Sequence, residues 1–314
     1  MITITRAPPY LTVQDTGRTH SRSSGVPRGG AMDVFALQAL NAIVGNALDS
    51  AALEWALGGG TLRFQGDCVF ALGGAHARAT LTGQTIPSFT NCHARTGEEL
   101  TVEQLTAGRF LYIAFSGGID VPQVLGSRST YLPGHFGGYN GRMIVRNDTL
   151  PLGPPPTSTP SGGFSCPPEL LPRYESAAVR ITRGPHADLF EEAAWTTLTE
   201  TEFAISTASD RTGYKLKGKA VGDAAGNLPS DASCRGAIQI PGEGTLIVLM
   251  ADAPTVGGYP KMAVVAEADL PILAQRSPGE NVRFQLVTIE QSQRALKGRA
   301  SDLYTIGATG AASA

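Results

Sequence analysis

A chain of 314 residues, 42% hydrophobic and 17% charged, can bury a full core and is long enough for two domains of ordinary size. With 25 basic against 27 acidic side chains the formal charge is −2, so the basic footprint of a nucleic-acid or anionic-membrane binder is missing. Apolar runs such as Leu246 to Ala251 fall far short of the roughly 20 residues that cross a bilayer, and the opening MITITRAPPY lacks the charged-then-apolar pattern of a secretory leader. The expected location is the cytoplasm.

Cys68, Cys92, Cys166 and Cys234 stand far apart with no C-x-x-C, and His20, His76, His93, His135 and His186 show no ligand spacing. The expectation is reduced, structural thiols and no metal site. The common signatures of P-loops, dinucleotide folds, zinc proteases and serine hydrolases are also missing.

In chain order, short runs such as TLRFQ, CVFAL, RFLYIAF, AVRIT, EFAIS, LIVLM and VRFQLVT, punctuated by Gly and Pro, predict a mainly β protein. One helix is expected early, over Met32 to Val44, where Asp33, Gln38 and Asn41 fall within an arc of about 140° and leave an apolar face. Further helices are expected near Leu189 to Thr197 and Ala268 to Ala274. The Pro-rich stretch at 151–168 reads as a surface connector between residues 1–150 and 169–304, with 305–314 as a tail.

Four Gly-punctuated polar segments remain as candidate sites. TVQDTGR, with Gln14, Asp15 and Arg18, precedes GVPRGGAMD, where Gly29 and Gly30 allow either a tight helix entry or a ligand close to the backbone. The long irregular run from Gly117 to Arg142 carries Arg128 and Ser129, a guanidinium fork for an oxyanion or a pin for the loop itself. TASDRTGYKLKG places Asp210, Arg211 and Tyr214 around a turn, and GAIQIP sets Gln239 within a strand.

The last segment lies between the runs Leu246 to Met250 and Met262 to Val265, which read as neighbouring strands, although the loop between them is far longer than a hairpin needs. It carries Asp252, Thr255, Gly257, Gly258, Tyr259 and Lys261, stiffened by Pro254 and Pro260. That set suits either a rigid surface loop or one wall of a small polar pocket.

Taken together, TVQDTGR, GVPRGGAMDVFAL, GGIDVPQVLGSRSTY, SDRTGYKLKG, GAIQIP and ADAPTVGGYPK resemble, over nearly the whole chain, a known family. It contains the carboxyltransferase region of urea amidolyases, the second subunit of allophanate hydrolase, an antagonist of a sporulation-kinase inhibitor, and the C-type subunit of bacterial 5-oxoprolinase. The resemblance implies two cyclophilin-like β-barrel subdomains with a few short helices. Its pattern has Arg, Gln and Thr where this chain has Ala253, Pro254 and Val256, and Met where it has Thr212.

Two chemistries follow from the resemblance. A C-type 5-oxoprolinase subunit acts with the B-type and A-type subunits on a lactam, with ATP and magnesium held jointly with the B-type partner, and is inactive alone. A carboxyltransferase moves a carboxyl group from carboxybiotin on a separate carrier chain to urea or a related amide; the one Lys-Met here, Lys261-Met262, lies inside the loop. A non-catalytic antagonist of a kinase inhibitor is the third possibility. For the lactam chemistry the expected catalytic residues, by residue type, are Arg211 and Lys261 near a transferred or substrate charge and Asp252 orienting a substrate N–H. Gly257 and Gly258 would supply backbone donors, and the other polar residues named above would contact substrate.

Overall fold

The protein, seen in a computed structural model, is described over residues 1–157, 163–176, 178–222 and 228–312. It divides into two compact units. The first comprises Met1–Arg18, Gly29–Leu171 and Ala300–Ala314; the second comprises Thr19–Arg28 and Pro172–Arg299. The division thus falls a few residues beyond the Pro-rich stretch, part of which (158–162) lies outside the described residues.

The first unit is built on nine strands: β1 (Ile2–Arg6), β2 (Tyr10–Gln14), β3 (Ala52–Ala56), β4 (Gly60–Phe64), β5 (Cys68–Leu81), β6 (Gln84–Thr85), β7 (Cys92–Ala94), β8 (Glu99–Phe115) and β9 (Thr149–Leu150). Their main order is β2-β3-β8-β4-β1-β9, with β5 on β8 and carrying β6 and β7. The long β5–β8 ladder shifts register near Gly74, His76 and Arg78; such bulges bend a strand pair and curl the sheet. β5 turns into β6 through Thr82 (φ 47°) and Gly83 (φ 84°), the two positive-φ residues that a tight hairpin turn requires.

Alternation sends Ile2, Ile4, Leu11, Val13, Leu62, Phe64, Phe70, Val102, Ile113 and Phe115 into one core. Helix α1 (Val34–Ile43) starts where Asp33 caps it, its carboxylate accepting the Ala36 N–H at 2.9 Å. Its predicted polar position Asn41 is fully buried, and donates to the Ser50 carbonyl at 2.7 Å. Burial there is tolerated because the amide is satisfied. The stretch after residue 162 is more than a surface connector, since Phe164 and Cys166 are buried and Cys166 N–H bonds to the Phe89 carbonyl.

In the second unit seven strands close into a barrel. They are β10 (Ala178–Arg183), β11 (Phe203–Ile205), β12 (Gly213–Lys217), β14 (Ala237–Gln239), β15 (Leu246–Leu249), β17 (Lys261–Val265) and β18 (Asn281–Leu286), in the order β10-β17-β14-β15-β12-β11-β18. Only the closing pair, β10 and β18, is parallel. A separate ribbon pairs β13 (Asp231–Ala232) with β16 (Val256–Gly257). Helices α2 (Glu192–Glu200) and α3 (Leu270–Ala274) fall close to their expected places.

Two expectations are corrected here. The strands at 246–250 and 262–265 are not neighbours: β14 lies between β15 and β17, so the intervening chain must cross the end of a strand. The expected tail is helical, completing α4 (Ile289–Ala312). Its polar, Gly-containing sequence gives little periodic apolar signal, yet Leu303 and Ile306 are buried. Among the described residues no helix is long and apolar enough to cross a membrane.

Candidate active site

The crossing from β15 to β17 explains the length of the 251–260 loop, and its anchors explain its shape. At its start Met250 N–H bonds to the Thr212 carbonyl (3.0 Å) and Asp252 N–H to the Arg211 carbonyl (2.9 Å). In its middle β16 joins β13, with Ser233 N–H on the Thr255 carbonyl (2.9 Å) and Leu228 N–H on the Gly258 carbonyl (3.0 Å). At its end Ile240 N–H reaches the Pro260 carbonyl at 3.0 Å. There β14 and β17 slip register between Ile238 and Gln239, which sets Gln239 opposite Lys261. A bulge at this point re-aims side chains, as it does beside many active sites.

The result is a polar cluster over the ribbon. Lys261 has only 2% of its side chain exposed, with Nζ 3.3 Å from Asp231 Oδ1 and 3.4 Å from the Gly257 carbonyl. His186 closes the group: its Nδ1 accepts the Lys261 backbone N–H at 3.0 Å, and its Nε2 lies 3.4 Å from Asp231 Oδ2. Because Nδ1 accepts, the ring proton sits on Nε2, facing the carboxylate. A Cβ placed on Gly257 would lie 3.1 Å from Gln239 Nε2 and 3.2 Å from Ser233 Oγ, so both side chains converge over that glycine. Ser233 Oγ is buried with no hydrogen-bond partner among the described residues. The same holds for Gln14 Oε1 in the first unit.

The glycines serve close approach and not positive φ. Neither Gly257 nor Gly258 has a left-handed backbone. A Cβ on Gly258 would meet the Leu228 carbonyl at 2.8 Å, which holds the ribbon's turn close.

Arg211 and Asp252 meet directly, Nε to Oδ2 at 2.8 Å and Nη2 to Oδ1 at 3.0 Å, with side-chain exposures of 10% and 6%. Asp210 instead caps its own turn, accepting Thr212 N–H (2.8 Å) and Gly213 N–H (3.1 Å). Tyr214 is fully buried and donates to the Ala274 carbonyl at 2.8 Å. Tyr259 is 42% exposed, and Thr255 is half-buried. Of the second unit's expected residues, then, Gln239, Gly257 and Lys261 lie in this cluster, Arg211 and Asp252 brace the loop, and Asp210 and Tyr214 hold turns and core.

The first unit's expected residues form a lattice of their own. Asp15 accepts Ser127 Oγ (2.7 Å) and Gly17 N–H (2.8 Å), as well as Ser129 Oγ and the Arg128 N–H. Arg18 donates to the carbonyls of Val124 and Ser129 and stacks on Phe136, 4.8 Å from the ring centroid. Gln14 donates to Thr12 Oγ1 (3.1 Å) and the Thr130 carbonyl (3.2 Å). Arg128 pins the Val121 carbonyl at 2.8 Å and Asp120 at 3.0 Å. The backbone space above Gly30 is taken by Thr16 and Gly17, 2.8 Å from where its Cβ would stand, so chain and not ligand fills it.

Sequence reasoning missed Asp231, Ser233 and His186. Nothing local marks Ser233 in DASCRG, and His186 stands alone in RGPHAD. Each enters through long-range pairing, Asp231 by register with Gly257 and His186 by its bond to Lys261. Among the described residues no group of three or more His, Cys, Asp or Glu could hold a metal ion.

Comparison with known proteins places this geometry. The chain is 36% identical over 297 residues to the C-type 5-oxoprolinase subunit of Escherichia coli, covering 94% of both chains. It is 32% identical over 317 residues to urea amidolyase of Saccharomyces cerevisiae, covering 94% of this chain but 17% of that one. Its fold matches the crystal structure of Kluyveromyces lactis urea amidolyase with a TM-score of 0.90 at 30% identity, over 97% of this chain and 20% of the other. The family model described as carboxyltransferase domain, subdomain A and B, matches residues 24–286, and the chain belongs to that family.

Proposed function

We propose that this chain is the C-type subunit of a 5-oxoprolinase, contributing the amide-binding pocket for ATP-dependent cleavage of 5-oxo-L-proline to L-glutamate. The observation that carries the reading is the end-to-end match to a C-type subunit, 94% of each chain, where urea amidolyase is matched over only 17% of its length. The pocket chemistry agrees with it. A lactam presents one N–H and one C=O on one edge. The Gln239 amide offers an acceptor and a donor, and the Ser233 hydroxyl can serve as either.

In this reading Gln239 and Ser233 fix the lactam edge, and Lys261 lies beside the oxygen on which charge develops. Asp231 and His186 hold the ammonium in place. ATP supplies the phosphoryl group that converts the lactam oxygen into a leaving group. One water then attacks the ring carbon and the C–N bond opens with the proton going to nitrogen, leaving a ring-opened acyl phosphate, and a second water hydrolyses that to phosphate and glutamate. Activation of this kind rests on positioning and charge neutralisation, which a buried lysine on a braced loop provides. Magnesium nucleotide is assigned to the complex with the B-type partner.

A carboxyl-transfer reading is favoured by one observation, the 0.90 TM-score to urea amidolyase, and would use the same pocket for the urea amide. Reconstitution separates the two. Mixed with A- and B-type subunits, the chain is expected to support release of ADP and glutamate from 5-oxoproline. Mixed with biotin carboxylase and biotinyl carrier, it is expected not to carboxylate urea. The reverse result would overturn the proposal.

A further inference from the structure

Between β2 and α1 the chain leaves the first unit, and Thr19–Arg28 belongs to the second. This excursion is built as a rigid turn. The Ser21 carbonyl accepts the Ser24 N–H at 3.1 Å and the Val26 N–H at 3.3 Å, and the Gly25 N–H returns to the Arg22 carbonyl at 3.0 Å. Gly25 ends the turn at φ 76°, a conformation that a side chain would strain. Ser21 and Pro27 are buried. The side chain so presented is Arg22, whose guanidinium donates to the Ser233 carbonyl.

Ser233 stands where the β13–β16 ribbon ends. The paired register stops at Ala232 and Val256, the Ser233 N–H bonds onward to the Thr255 carbonyl at 2.9 Å, and the chain then turns toward β14. With its N–H held from the loop and its C=O held by Arg22, the backbone on both sides of Ser233 is fixed. That fixes the direction in which its buried hydroxyl projects toward Gly257. A hydrogen bond from a charged donor is roughly twice as strong as a neutral one, and a guanidinium keeps its charge at every working pH.

We propose that Arg22 is a positioning residue for the polar cluster, acting through Ser233 to hold the hydroxyl over Gly257. Its effect on substrate rests on the lactam reading given above; its hold on Ser233 does not.

The test uses the full chain, free and mixed with A- and B-type subunits. Arg22→Met keeps most of the stem and removes the donors, and Arg22→Lys returns one charged donor. In the free Arg22→Met chain the Ser233 amide is expected to exchange hydrogen at least about tenfold faster, with partial return in Arg22→Lys. The Leu228 amide, bonded to the Gly258 carbonyl further along the ribbon, should exchange as in the parent. In the complex, KM for 5-oxoproline should rise about tenfold in Arg22→Met while kcat stays within about threefold, the mark of lost binding and not lost chemistry. The double variant Arg22→Met/Ser233→Ala should have the KM of Ser233→Ala alone, because the group that Arg22 aims is already gone. A denaturation midpoint for each variant separates lost aim from lost folding. A parent complex without 5-oxoproline turnover would sink the lactam reading, and the exchange comparison, which needs no substrate, would still decide the Arg22 assignment. Unchanged Ser233 exchange, equal loosening at Ser233 and Leu228, or KM penalties that add in the double variant would each overturn that assignment.

Discussion

Arg211 and Asp252 form a two-pronged ion pair, 2.8 and 3.0 Å, that ties the turn after β11 to the first residues of the loop crossing β14. Both side chains are nearly buried, and each compensates the other for lost water. Removing one leaves a buried charge, at a cost of about 3–5 kcal/mol. Asp252→Ala and Arg211→Ala are therefore expected to lower stability by that order in chemical denaturation. The double variant Arg211→Met/Asp252→Leu should recover much of the loss. A loss that is the same in the double variant as in the singles would show that the loop, and not the charge, sets the cost.

Gly257→Ala tests the pocket more directly. The backbone there is not left-handed, and the new methyl would press on the ends of two side chains, Gln239 at 3.1 Å and Ser233 at 3.2 Å, which can give slightly. Stability should change by less than about 1 kcal/mol, while KM of the reconstituted complex for 5-oxoproline rises at least tenfold. Gly258→Ala is the contrast. Its methyl would strike the Leu228 backbone carbonyl at 2.8 Å and should loosen the ribbon itself. Equal effects of the two on KM and on stability would place both glycines in scaffold.

Lys261 and Asp231 give a third prediction. Nζ lies 3.3 Å from Asp231 Oδ1, and the lysine is buried while its carboxylate is half exposed. Lys261→Met should abolish turnover of the complex with the barrel intact by near-UV dichroism. Asp231→Asn and His186→Ala, which only position the lysine, should lower kcat more modestly and shift its pH profile. An unshifted profile in both would confine Asp231 and His186 to holding β13 and the β10 end.

Acid stability has an identified contributor in the first unit. The Arg142 guanidinium, bonded to both oxygens of Asp148 at 2.6 and 2.8 Å, holds that carboxyl below the usual carboxylate range, aided by the Val145 N–H. With the folded pKa depressed, the unfolded chain takes up the proton first on acidification. The contribution is therefore present above about pH 4, the unfolded value, and is lost as pH falls through the lower folded value. Asp148→Asn should destabilise at neutral pH and flatten the acid limb of the stability profile. An acid limb unchanged in slope and midpoint would assign it to other carboxyls.

Much of this was legible in the sequence because it is local. The α1 cap at Asp33, the alternation in β1 and β4, and the Asp210 turn each depend on residues within a few positions of one another. The loop at 251–260 was recognisable as too long for a hairpin, but its cause, β14 inserted between β15 and β17, is a pairing across distant segments. The same limit hid Ser233 and His186, which reach the pocket only through the β13–β16 ribbon and the Lys261 backbone. Conversely, Arg18 and Asp15 look like ligand-binding groups by type, and only the fold shows that both bond to the 121–129 segment. Helix α4 escaped because its apolar residues are sparse, with Leu303 and Ile306 alone deeply placed in its second half.

The last prediction concerns dependence on partners. Activating a lactam needs a nucleotide site, metal ligands and an amide pocket, and in the proposed function this chain contributes the third. Its loop also carries Ala253, Pro254 and Val256, which add no polar side chain to the pocket wall. The purified chain alone is therefore expected neither to hydrolyse ATP in response to 5-oxoproline nor to open the ring. ADP release should appear on adding the B-type partner, and glutamate release on adding the A-type partner as well. Lys261→Met should abolish both in the full mixture while still co-purifying with its partners, since a 2%-exposed side chain offers them almost no surface. Appreciable turnover by the isolated chain would put the nucleotide chemistry on this chain itself, and full activity of the Lys261→Met complex would move the reacting amide away from the β13–β16 pocket.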